Sequence, residues 1–173
     1  MTTSLLTDAF AHHIWATERL IDACATLTPE QLTKPAHGTY GSIIDTLRHL
    51  VSADGWYLSF YEGERAARID EEDGAGLAEL RAAMTANGPI WLELVGGELD
   101  PDADVVEIGD TGWEFHAPTG IRLAQVVHHG TDHRSQICTA LTSLGVTPPA
   151  IDAWDFAEAT GRSRSVPEPQ SAR

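Results

Sequence analysis

Leu123-Ala124-Gln125-Val126-Val127-His128-His129-Gly130-Thr131-Asp132-His133-Arg134-Ser135-Gln136-Ile137 is the heart of a long helical stretch. Thr119 stands before it as an N-cap and Gly145 after it as a stop, which predicts a last long helix over Gly120–Leu144. His129 and His133 are four positions apart, so they share one face of that helix, about 6 Å apart along its axis. Two imidazoles at that spacing can converge on one cation at about 2.0–2.1 Å. Likeness to the zincin HExxH signature is partial, because no glutamate lies between the two histidines to act as a base. In a chain with eight histidines the pair alone fits a metal site and a coincidence of composition equally well.

A third histidine bears on that choice. His49 lies in Leu47-Arg48-His49-Leu50-Val51, close to the apolar face of an earlier helix, and a bundle can aim a residue from one helix at a pair on another. It reads either as a ligand or as a core histidine bonded to a carbonyl. His128 points roughly 100° away from His129 around the helix and reads as a surface or packing residue. His12 and His13 read as helix-surface positions, of which one could face a cavity. His37 and His116 fall in loop and hairpin, and nothing marks them.

Upstream, a first helix is predicted over Leu5–Leu27, ended by Thr28-Pro29-Glu30, with Pro29–Leu32 opening a short turn of its own. Lys34–Gly41 reads as loop and Ser42 as the N-cap of a second helix ending at Tyr61. The acidic, glycine-broken stretch Glu62–Gly76 reads as a connection, and Ile69–Asp73 within it as solvated loop. A third helix covers Leu77–Val95, with a kink or split expected at Gly88-Pro89. Asp104–Ile108 and Gly112–Ala117 read as a small hairpin around Gly109-Asp110-Thr111. After Pro148-Pro149 comes a short helix, Asp152–Ala159. The expected architecture is an all-α four-helix bundle over residues 1–161, with a β-hairpin before the last long helix and a short C-terminal helix. Residues 162–173 read as a disordered tail.

Composition removes several classes of function. The formal charge is −15, from 26 acidic against 11 basic residues, and Lys34 is the one lysine. Such a surface repels phosphate backbones and has no basic stripe for nucleic acid or anionic lipid. No apolar run approaches the roughly 18–20 residues a membrane span needs. Residues 1–10 lack the basic and apolar regions of a secretory signal, so a cytoplasmic protein with no membrane partner is expected. Cys24 and Cys138 are far apart and form no CxxC pair, and they read as small buried apolar residues.

The segment quoted at the outset resembles the last-helix motif of the DinB-like (DinB/YfiT-type) metalloproteins: a histidine, three residues, then His-Arg-Gly-Gln and an apolar position. Leu144-Gly145-Val146-Thr147-Pro148-Pro149-Ala150-Ile151-Asp152 is similar to that family's ending. Leu27-Thr28-Pro29-Glu30-Gln31-Leu32 and Gly41-Ser42-Ile43-Ile44-Asp45-Thr46-Leu47-Arg48-His49-Leu50 resemble its loop and second helix, and His13-Ile14-Trp15-Ala16 resembles its first-helix signature. Two departures stand out: Thr17 where asparagine is common, and Ser135 where glycine is usual. The resemblance runs from Leu5 to Ala159. It implies an up-down-down-up-like bundle, a homodimer, and a divalent metal on His49, His129 and His133 with water completing the shell.

Three neutral imidazoles leave coordination positions open, as catalytic sites do. The resemblance implies a small-molecule thiol S-transferase that uses a low-molecular-weight thiol such as mycothiol, bacillithiol or glutathione. The arginine-rich, lysine-poor composition is compatible with a GC-rich genome, where mycothiol is the natural thiol. Candidate supporting residues are Trp15 and Trp56 as cavity walls, Gln136 and Asp45 behind the ligands, and Arg134 for an anionic group. The alternatives are a hydrolase, for which only Asp132 or Asp45 offers a base, and a non-catalytic metal- or ligand-binding protein of stress response. Zinc, nickel and iron all suit three nitrogens.

Overall fold

The computed structural model describes residues 4–166 of the 173, so residues 167–173 of the expected tail lie outside the described residues. Four long helices carry the fold: α1 (Leu5–Cys24), α3 (Ile43–Glu62), α4 (Leu77–Gly96) and α5 (Thr119–Ser143), with short helices α2 (Pro29–Thr33) and α6 (Ala153–Ala159). Strands β1 (Asp104–Ile108) and β2 (Glu114–Pro118) form an antiparallel hairpin in which Val106 faces His116. This is the expected all-α bundle with its hairpin and C-terminal helix. Among the described residues no helix is long and apolar enough to cross a membrane.

Local chemistry sets the ends. Ser4, Thr28, Ser42 and Asp152 each accept a backbone N–H at the start of a helix, and Thr28, Ser42 and Asp152 close capping boxes. α1 ends three residues earlier than its apolar pattern suggested, because Thr26 and Leu27 turn back on Ala23 and Cys24 to bring Thr28 into its capping role. Thr119 is the first residue of α5 rather than its cap. Its hydroxyl donates to the Ala103 carbonyl (3.2 Å) and ties the helix to the hairpin. α4 runs unbroken through Pro89, so of the kink or split expected there the split does not occur. Next to that proline Gly88 lies against Ile14 of α1, where an added Cβ would come within 3.1 Å of its Cγ2.

Pairwise contacts give the connectivity. Arg81, near the start of α4, bonds Glu18 and Asp22 near the end of α1, while Phe10 packs on Trp91 at the other end, with ring centroids 4.9 Å apart. α1 and α4 are therefore antiparallel. α3 and α5 are antiparallel too, since His49 meets His129 and Arg122 lies over Phe60. α3 and α4 start at the same end, so residues 63–76 must travel back along the bundle to join them. The order is up-down-down-up.

Two apolar clusters fill the interior. One, at the C-terminal end of α1, includes Leu20, Ile21, Leu47, Leu80, Met84, Ile137 and Leu141. The other, at its N-terminal end, includes Phe10, Ile14, Leu58, Trp91, Leu123 and Val126. Each fully buried Leu or Ile contributes about 1.5–3 kcal/mol. Between the clusters lies a polar layer. Asp54 accepts from His13 Nε2 (3.0 Å) and from Trp91 Nε1 (3.1 Å), and Arg134 Nη1 donates to His13 Nδ1 (3.0 Å) and Thr17 Oγ1 (3.1 Å). A guanidinium only donates, so His13 Nδ1 carries the lone pair and its proton sits on Nε2. His13 is thus not the surface residue its position suggested. It is a neutral bridge, 1% exposed, between a buried anion and a buried cation.

Candidate metal centre

His49 projects from the middle of α3, and His129 and His133 from one face of α5, into the groove between the two helices. His129 Nε2 lies 3.1 Å from both His49 Nε2 and His133 Nε2, and the three nitrogens lie within 4.8 Å of one another. His133 is buried, and the other two are half-buried. α5 can present this pair because its adjoining face is anchored in the core: Arg134 binds His13 and Thr17, and Gly130 leaves room for the His13 ring.

The hydrogen bonds behind the rings fix which nitrogen faces inward. His49 Nδ1 lies 3.0 Å from Glu71 Oε2, and a carboxylate accepts, so Nδ1 holds the proton. Gln136 Oε1 accepts the Tyr40 backbone N–H (2.8 Å), which sets the orientation of the amide, and the same oxygen takes the His133 Nδ1–H (3.2 Å). Both Nε2 atoms therefore turn lone pairs towards His129 Nε2. One proton on His129 can serve only one of these two contacts well, so at least one inward lone pair is left without a donor unless a cation stands among them. Ligand atoms 3.1 Å apart and about 2.0–2.1 Å from an ion would subtend roughly 100° there. The donor set fits a divalent metal ion.

Electrostatics point the same way. Burial, and then repulsion from His133 and His49, lowers the His129 pKa to about 4. Burial and the neighbouring His49 also lower that of His133. Both rings are neutral at pH 7, the form that ligates. Burial alone would raise the Glu71 carboxyl, but the bonds from His49 and Tyr40 outweigh it and hold its pKa below the ordinary value.

Two neighbours of the site come from loops, where no periodicity marks them. Tyr40 stacks on His49, with centroids 4.0 Å apart and planes at 15°, and meets His133 edge-on at 5.6 Å. Its hydroxyl donates to Glu71 Oε1 (2.7 Å). Glu71 belongs to the stretch Ile69–Asp73 expected to be solvated loop; instead a single 3-10 turn, Glu71–Asp73, carries it onto His49. The local signal was an Asp70 capping that turn, but nothing in the chain named its target.

The remaining candidates are spread more widely. Gln136 lies directly behind His133. Asp45 closes the α3 capping box with Ser42 and stands 3.6 Å from Arg48. Arg134 is 3% exposed and committed to the core layer. Trp15 packs on Phe156 (5.6 Å) and holds α6 against α1. Trp56 stacks edge-on with Tyr57 (4.9 Å) and Phe60 (4.7 Å), and Tyr57 in turn reaches His129 at 6.2 Å. His12 bonds the Ile151 carbonyl (2.9 Å), and His116 bridges Asp104 and Glu114 on the hairpin. His128 and His37 are exposed.

No curated protein matches the chain. The family model described as DinB family matches residues 1–170, and with the bundle and the histidine trio in place the chain belongs to the DinB family.

Proposed function

We propose that this protein is a metal-dependent enzyme of small-molecule chemistry, holding one divalent cation on His49, His129 and His133 and transferring a low-molecular-weight thiol to an electrophile. The observation that carries the reading is the convergence of three Nε2 atoms, two of them unprotonated by their hydrogen bonds, at the solvent side of the α3–α5 groove. A divalent ion held there would supply Lewis acidity, favouring the deprotonated form of an incoming thiol or water. The protein's own part is to aim three imidazoles at one point, with His129 and His133 held neutral by burial, and to flank them with Tyr40 against His49 and Tyr57 near His129.

Thiol transfer is preferred to hydrolysis because two nearby carboxylates, Glu71 and Asp45, are engaged elsewhere, and the third, Asp132, is exposed on α5 with no bond to any of the three histidines. Glu71 is spent behind His49, and Asp45 in the α3 cap. A thiol acidified by a cation needs no protein base for its attack. In the transfer the thiol sulfur forms a bond to the electrophilic carbon, the leaving group departs with its electron pair, and the thiol proton passes to solvent.

The test is elemental mass spectrometry of tag-free protein against a His49→Ala/His129→Ala double variant, then thiol conjugation to 1-chloro-2,4-dinitrobenzene with glutathione, mycothiol and bacillithiol. One equivalent of metal in the wild type, lost in the variant, with metal-dependent conjugation by at least one thiol, is the expected result. Absence of metal after incubation with zinc or nickel would remove the reading, and metal without conjugation would leave a binding protein.

A further inference from the structure

The histidine trio is backed by two loops that meet at a single hydroxyl. Tyr40, in the loop before α3, touches both acceptors behind the ligands: its backbone N–H donates to Gln136 Oε1, and its hydroxyl to Glu71 Oε1. Glu71, on the crossover between α3 and α4, takes the His49 Nδ1–H with its other oxygen. The crossover has two further ties. Asn87 holds the Ala67 backbone by both N–H and carbonyl (2.8 and 2.9 Å), and Arg48 donates to the carbonyls of Gly74 and Ala75 (3.0 and 2.9 Å). Between those ties, among the described residues, the turn at Asp70–Asp73 is hydrogen-bonded to the rest of the molecule through Glu71 alone. That turn also borders an open cleft of about 980 Å³, lined by Tyr40, Ser52 and Arg68 as well as Glu71 but by none of the three histidines.

We propose that Tyr40 and Glu71 are positioning residues of the metal centre, and that docking of the 66–76 crossover on α3 is energetically linked to metal binding at His49. The proposal rests on the metal reading of the trio. Its physical basis is the imidazole itself. A cation on Nε2 withdraws electron density and makes Nδ1–H a stronger donor, so the bond to the Glu71 carboxylate tightens when the ion is present. By reciprocity, a crossover already docked holds the ring in the tautomer and rotation the ion needs. Tyr40 restricts the ring from a second direction by stacking on it, and its hydroxyl orients the carboxylate.

The experiment uses the full chain with zinc as the probe, measuring affinity by competition with a chromogenic chelator and amide hydrogen exchange over residues 66–76 with and without zinc. Glu71→Ala is expected to weaken zinc binding about 10–100-fold. Glu71→Gln, which keeps an acceptor oxygen, should recover much of that loss, and Tyr40→Phe, which keeps the stack and loses the hydroxyl, should cost a few-fold. Glu72→Ala, one residue on, should match wild type. Zinc should slow exchange across 66–76 in the wild type but not in Glu71→Ala, leaving the hairpin at 104–118 unaffected in both. Melting of the metal-free variants shows that each is folded; should Glu71→Ala fail, Glu71→Gln and Tyr40→Phe carry the same comparison. Zinc affinity in Glu71→Ala within twofold of wild type, or unchanged exchange at 66–76 in the wild type, overturns the proposal and leaves the metal site standing. A wild type that takes up no zinc, nickel or iron overturns both.

Discussion

Gly130 follows His129 on α5, about 100° around the helix from it, and the space of its missing side chain is filled by another residue. A Cβ there would stand 2.4 Å from His13 Cε1 and 2.9 Å from Arg134 Nη1. Alanine ordinarily gains about 1 kcal/mol over glycine inside a helix, but His13 is held on both nitrogens and cannot yield. Gly130→Ala should therefore lose about 1–3 kcal/mol, measured by urea unfolding of metal-free protein; a stabilised variant would show that the ring moves freely. Asp54→Asn tests the same layer from the other side. It leaves the Arg134 cation buried without its anion, at a cost of about 3 kcal/mol, the lower end for a broken buried pair because His13 bridges the two. Trp91→Phe, which removes one donor to the carboxylate, should cost only about 1 kcal/mol. Equal losses in the two variants would mean that the charge is not the important feature. These residues were hidden in the sequence because their partners are remote: His13 and Asp54 are separated by 41 positions, and His13 and Arg134 by 121. The candidate metal-site histidines were more legible, since an i, i+4 pair declares its own geometry.

At the scale of elements, two histidines respond to pH in opposite directions. His116 bridges the two strands of the hairpin, and its bonds to Asp104 and then Glu114 raise its pKa above the ordinary 6.5. Its support for strand pairing is therefore complete below pH 6.5 and disappears as pH rises through the raised value. His129 on α5 is the reverse case, with a pKa lowered to about 4 by burial and then by the other two histidines. In metal-free protein its contribution is complete above pH 6.5 and is lost as pH falls towards 4, because the unfolded chain binds the proton first. Partial access to water limits that loss to about 1–2 kcal/mol. An NMR titration should find His116 titrating above 6.5. His129→Gln should flatten the acid limb of metal-free stability between pH 6.5 and 4, and an unchanged limb would assign it to carboxylates instead. Element type was readable because periodicity, caps and glycine stops act locally. Continuity of α4 through Pro89 was not, because its support comes from α1, where Gly88 meets Ile14, and from the crossover that Asn87 holds.

For the whole molecule, the order in which the helices pack is a matter of long-range contact. Periodicity gives four helices but no handed arrangement, and here only the family resemblance anticipated the up-down-down-up order. That order makes residues 63–76 return along the bundle, which is how an acidic loop comes to lie on His49. It also separates the fold from the metal. Both apolar clusters exclude the three histidines, and the polar layer between them is satisfied without an ion, so metal-free protein should remain folded and melt cooperatively. Metal then adds stability by mass action: zinc at 100 times its dissociation constant contributes about 2.7 kcal/mol. For a chain of this length that should raise Tm by about 5–10 °C. The formal charge of −15 complicates the test, because such a field concentrates any divalent cation at the surface and screens self-repulsion without a specific site. The His49→Ala/His129→Ala variant keeps that field and loses the trio. A zinc-dependent rise in wild type that vanishes in the variant, at an ionic strength where magnesium has no effect on either, assigns the stabilisation to the histidines; an equal rise in both assigns it to the surface charge.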